Sequence, residues 1–170
     1  MFKKMFKFKR HNNKLYNTLL ILSRNIFFYT NIGLKDSFET RIYLMFIHFS
    51  ILMIIHKKKG SKLDQNSYDY FFHNIEYNLR ESGLGDVTVN KKMKEFNKIL
   101  YDILLKFDLS KTNDKKIVVN TTLVKKYFSD LNTKKHTNLT LFIDYFGRFY
   151  DFCFELPLNN MLEEAINFKY

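Results

Sequence analysis

The side chains able to do acid–base or covalent chemistry are few and scattered. The five His residues, at positions 11, 48, 56, 73 and 136, include no i,i+4 pair that would set two imidazoles on one helix face. His73-x-x-Glu76 reverses the Glu-x-x-His order of di-iron bundles, and it occurs once where such sites need two. Cys153 is the single cysteine, set among aromatics in Phe149-Tyr150-Asp151-Phe152-Cys153-Phe154. With no second thiol it forms no intramolecular disulfide, and its neighbours predict a buried, reduced side chain. Gly83-Leu84-Gly85 follows a helical stretch, whereas a phosphate-binding loop follows a strand and opens a helix. Glu163-Glu164 is the only adjacent carboxylate pair, so the acidic clusters that hold magnesium over an isoprenoid substrate are missing. This inventory argues against an enzyme, and neither a metal nor a cofactor is expected. His48, inside the most apolar stretch, reads as a core histidine held by a hydrogen bond.

The elements that carry these residues are helical. A chain of 170 residues predicts one domain large enough to bury a full core. It holds 19 Phe and 11 Tyr but only five Gly and one Pro, too few turn residues for a β-sandwich or a Gly-rich nucleotide fold. The expected fold is all-α: a single compact bundle of six to seven helices, spanning residues 13–170, around an apolar central helix. Leu15, Leu19, Leu22 and Ile26 recur at helical spacing in a first helix from Asn13 to Ser23. An aromatic stretch from Arg24 to Leu34 breaks at Gly33. Asp36-x-x-Glu39 resembles a capping box, making Asp36 the expected cap of the central helix. That helix contains the run Ile42–Ile55 and ends at His56-Lys57-Lys58-Lys59-Gly60, the basic-then-glycine pattern of a helix C-terminus. At 14 residues, with polar interruptions, the run is short of the ~20 that span a bilayer, so a core helix is expected.

Further helices are expected over Asn66–Glu81, Val89–Phe107, Lys115–Leu131 and Leu139–Leu156, with Pro157 opening a last one from Leu158 to Phe168. Gly83 should cap the first of these, and the turn Leu84–Thr88 should lead into the second. Ser110–Asp114 reads as a polar connection and Lys134–Thr137 as a loop.

There are 28 basic and 17 acidic residues, a formal charge of +11, and only five of the basic residues are Arg. The wealth of Lys, Asn, Ile, Phe and Tyr beside a single Ala has the composition of an AT-rich genome, so part of the charge reflects codon usage. Residues 1–14 carry Lys3, Lys4, Lys7, Lys9, Arg10 and Lys14 with no acid. Residues 1–12, in which Lys alternates with Phe and Met, read as a basic, aromatic arm suited to an anionic membrane surface. The same arm fits an RNA- or ribosome-binding helical module. Scarce Arg disfavours base-specific readout, so no DNA partner is expected.

Across its middle the chain resembles the ubiquinol–cytochrome c chaperone family. The match runs through Leu15-Tyr16, Ser23-Arg24-Asn25, Phe28-Tyr29, Gly33-Leu34 and Asp36-Ser37-Phe38-Glu39-x-Arg41 to His48. It is strongest over Phe71-Phe72, Asn78-Leu79-Arg80-Glu81-x-Gly83-x-Gly85-Asp86 and Val89-x-Lys91-Lys92-Met93-Lys94. It covers roughly residues 13–108, and beyond residue 110 the likeness is generically helical. The family's aromatic-Gly-Arg turn is replaced by Leu100-Tyr101-Asp102-Ile103. A start this close to the domain resembles bacterial, alphaproteobacterial-like members.

The resemblance implies a non-enzymatic assembly chaperone that binds newly made cytochrome b, works with the ribosome or a second assembly factor, and sits peripherally on the cytoplasmic face of the inner membrane (the matrix face in a mitochondrion). Partner contacts are expected at Arg24, Tyr29, Arg41, Arg80, Lys91 and Lys92. The arm residues Lys3, Lys4, Lys7, Lys9 and Arg10 are expected at the membrane surface, and Gly83, Gly85 and Asp86 in a structural turn.

Overall fold

The computed structural model describes residues 13–108, 117–133 and 135–170. The expected N-terminal arm, with Lys3, Lys4, Lys7, Lys9 and Arg10, and the Ser110–Asp114 connection lie outside the described residues. The described chain is all-α. In order come α1 (Lys14–Ser23), α2 (Phe27–Thr30), α3 (Phe38–Lys58), α4 (Gln65–Glu81), α5 (Asp86–Asp108), α6 (Thr121–Tyr127), α7 (Asp130–Thr133), α8 (His136–Glu155) and α9 (Met161–Glu164), followed by a 3₁₀ turn (Ala165–Asn167). Three of the nine described helices are single turns of four residues, which is why a reading by periodicity expects fewer.

Helix α3 is the central helix. Among the described residues it is the one helix long and apolar enough to cross a membrane, because its 21 residues extend past the apolar run at both ends. Its faces are covered by protein instead. Helices α1, α5 and α8 pack along it, and α4 reaches it through rings: Phe49 lies 5.1 Å from Phe71, and Phe46 lies 6.0 Å from Phe72. On the α8 side His48 is fully buried among Phe28, Tyr145, Phe146 and Phe149, with ring centroids 4.8–6.0 Å away. Its Nδ1 lies 2.7 Å from the Leu44 carbonyl and must donate to it. Its Nε2 then accepts from the Tyr145 hydroxyl at 3.2 Å. His48 is thus the hydrogen-bonded core histidine expected from the sequence.

Several boundaries differ from expectation. Ser37, not Asp36, caps α3: its hydroxyl accepts from the Thr40 amide at 3.2 Å, while the Asp36 carboxylate is taken by Arg41. Helix α5 starts at Asp86, three residues early, where the Gly85 carbonyl accepts from the Val89 amide. The expected helix over Lys115–Leu131 is instead α6 and α7. It breaks at Phe128 (φ −119°, ψ 73°), whose ring is buried 4.9 Å from Phe142. Burying that ring outweighs continuing the helix, whose first turn Asn120 caps. Helix α8 begins at His136, within the expected loop. Pro157 lies in a turn closed by the Asn160 amide on its carbonyl, so the last helix starts at Met161.

Burial pushes His48 from its ordinary value of 6.5 down to about 3. Below pH 6.5 the unfolded chain therefore takes up a proton that the folded chain refuses, and stability falls as the pH drops from 6.5 toward 3, by up to about 1.4 kcal/mol per unit. His48→Gln removes this titration. Urea unfolding between pH 6.5 and 5 should show a shallower loss for the variant than for the wild type, and equal slopes would contradict the assignment.

Candidate functional site

The sequence-predicted contact residues fall into three places. Arg24 and Arg41 line one open cleft of about 380 Å³ between α1, the start of α3 and α4. Its floor is apolar, from Leu20, Phe38, Ile42 and Met45, and Asn17, Asn74 and Asn78 supply amides along the walls. Arg24 is the C-cap of α1, exposed, with no ion pair among the described residues. Ile21 and Ile26 flank it, 53% and 71% exposed, so the cationic side chain stands between apolar ones at the rim. Arg41 grips Asp36 through two hydrogen bonds, Nε–Oδ1 at 2.6 Å and Nη2–Oδ2 at 2.7 Å. That guanidinium, seconded by the charge of Arg24, holds the Asp36 carboxyl below its ordinary range.

Tyr29 stands beside this pair. Its hydroxyl donates to the Ser23 carbonyl at 2.6 Å and ties α2 to the end of α1. Partial burial and then the Asp36 charge raise its pKa. On the opposite wall Asn78 donates to the Tyr16 hydroxyl at 2.6 Å and Asn74 to the Tyr70 carbonyl at 2.8 Å.

The remaining predicted residues are not in the cleft. Lys92 donates to Glu39 at 3.1 Å, locking α5 onto the first turn of α3. Lys91, its neighbour, is exposed on α5. Arg80 sits at the α4–α5 turn, where it holds Glu76 (2.8 Å) and Asp86 together. Gly83 has φ +86°, the left-handed conformation that closes α4, and Gly85 with Asp86 starts α5. The three therefore lie together where α4 ends and α5 begins. Sequence reasoning missed Phe38 and Asn74 as lining residues. The usable signal at Phe38 is an aromatic in the first turn of a helix, 37% exposed despite its size.

The cleft offers an apolar floor, a cationic rim and hydrogen-bonding amides, which together suit a peptide segment. Among the described residues no three His, Cys, Asp or Glu side chains gather to hold a metal. The Cys153 thiol is buried and pushed up to about 12 by desolvation, so it stays protonated.

The family model described as "Ubiquinol-cytochrome C chaperone" matches residues 30–168. The chain belongs to the ubiquinol-cytochrome C chaperone family. Searches of curated proteins and of solved structures found no match. The matched span holds Arg41, Arg80, Lys91, Lys92 and the Gly83–Asp86 turn, while Arg24 and Tyr29 precede it. It also runs through α6 to the 3₁₀ turn, so the family likeness continues well past residue 110, where the sequence showed only a generic helical pattern.

The Leu100–Ile103 segment of this chaperone joins two helices. Asp102 binds Lys106 (2.9 Å) and Lys126 (2.7 Å) and accepts from Tyr127 (2.5 Å), joining α5 to α6. Desolvation raises the pKa of this carboxyl, but the three donors outweigh it and hold the group ionised.

At the α4–α5 turn, Gly83→Ala should cost about 1–2 kcal/mol, since a Cβ is strained at this φ. Gly85→Ser should stay within about 0.5 kcal/mol, because Ser caps a helix as well as Gly does and nothing lies within 4 Å of the added Cβ. Thermal or urea unfolding separates the two; equal costs would contradict the geometry.

Proposed function

We propose that this chaperone binds newly made cytochrome b and assists its assembly into the ubiquinol–cytochrome c reductase. The match to the chaperone family over residues 30–168 carries this reading. The cleft between α1, α3 and α4 supplies a matching surface. A membrane segment awaiting assembly exposes apolar side chains, and its ends carry polar and charged ones. The cleft meets the first with Leu20, Phe38, Ile42 and Met45 and the second with Arg24 and the three Asn side chains. Arg24 is the principal contact residue, because Arg41 and Arg80 are already engaged by carboxylates.

The chaperone acts peripherally at the cytoplasmic face of the inner membrane, or at the matrix face in a mitochondrion. The basic residues 3, 4, 7, 9 and 10 draw it to anionic lipid, each worth about 1 kcal/mol when near the surface.

Affinity capture from membranes of the source organism tests both parts. Wild type should retain cytochrome b. Arg24→Glu, at an exposed position, should retain it at least about threefold less at equal fold stability. Deletion of residues 1–12 should lower the membrane-bound fraction while purified chaperone still captures detergent-solubilised cytochrome b. Recovery of ribosomal RNA without cytochrome b would replace this reading with a ribosome-binding one.

A further inference from the structure

A second cleft, away from Arg24 and Arg41, has a different chemistry. It also measures about 380 Å³ and lies between the C-terminal half of α3, the connection to α4, and α5. Phe49, Met53 and Ile54 of α3, Leu63 of the connection, Tyr68 of α4 and Leu104 of α5 make its body. Its polar lining residues, Lys57, Ser61, Lys62 and Gln65, come from the end of α3 and from the connection into α4. Two of them are cationic, and no carboxylate lines the cleft among the described residues. Asp64, the acid between Leu63 and Gln65, is turned to the α4 N-terminus, where it accepts from the Ser67 amide at 3.2 Å. Lys62 makes no ion pair among the described residues.

The cleft therefore has an apolar body and a cationic end, the polarity of a single-chain anionic amphiphile. We propose that it is a binding site for a long-chain fatty acid, with the chain along Phe49, Met53 and Leu104 and the carboxylate at Lys62. Its size, at the small end of ligand cavities, suits one chain and not the two of a phospholipid. Beside Leu104, Tyr101 and Leu105 are each 60% exposed and continue the apolar surface outward from the cleft, giving a chain a path in from a membrane surface. This inference stands independently of cytochrome b binding.

Titrating the full chain with saturated fatty acids from C8 to C18, below their critical micelle concentrations, tests it by calorimetry and by displacement of a fluorescent fatty acid. Affinity should rise by about fourfold per methylene while the cleft fills and then level off. The methyl esters should bind at least about fivefold more weakly. Lys62→Glu, at an exposed position, should weaken the acid by a similar factor and leave the ester unchanged. Met53→Trp, which fills the body of the cleft, should abolish both at an unchanged melting temperature. If it lowers that temperature, the lysine variant decides. Affinity that climbs without a plateau and ignores both substitutions would overturn the proposal as plain partitioning. Binding to vesicles of phosphatidylglycerol with none to free fatty acid would overturn it in favour of a bilayer surface.

Discussion

A helix that is apolar on every face cannot stand in water, and α3 is such a helix for most of its 21 residues. Each of its sides has to be covered, so the remaining elements are arranged as covers. Helix α1 and helix α5 pack along two sides, α8 along a third, and α4 closes over Phe46 and Phe49 with its own aromatic pair Phe71 and Phe72. On the α8 side the buried imidazole of His48 is tolerated because a carbonyl one turn earlier and the Tyr145 hydroxyl satisfy both its nitrogens. A covered helix of this length leaves seams between its covers, and the two clefts lie on such seams.

The charges show a division of labour. Arg41, Arg80 and Lys92 each bind a carboxylate on a neighbouring turn or helix, and Asp102 gathers three donors to hold α6. These pairs are part-exposed, so each contributes modestly to stability and mainly sets the angle at which elements meet. Arg24, at the end of α1 and close in sequence to two exposed isoleucines, makes no ion pair among the described residues. The clefts differ accordingly. One joins arginine and amides to an apolar floor; the other joins lysine to a more apolar lining.

Much of the fold was legible in the sequence because helical periodicity is a local property. The stripe Tyr68, Phe71, Phe72, Ile75 and Leu79 marks α4, and the unbroken run Ile42–Ile55 marks the central helix. The buried, protonated state of Cys153 and the core role of His48 followed from their aromatic and aliphatic neighbours. Gly60 announced the end of α3, since a glycine after basic residues at a helix end supplies a positive φ.

What tertiary structure alone decided was every choice between two local options of similar energy. Asp36 and Ser37 are both good caps, and the approach of Arg41 to Asp36 settled which one serves α3. The segment around Phe128 has the residues of a continuous helix, and a place for its ring against Phe142 broke it. The grouping of Arg24 with Arg41, and the separation of both from Arg80 and Lys91, depends on how α1, α3 and α4 cross. Sequence by itself determined which faces had to be buried, because that depends on residue type and helical spacing. Which residues meet across the seams was left to packing, because a cleft is made by side chains distant in the chain, and no local spacing records their meeting.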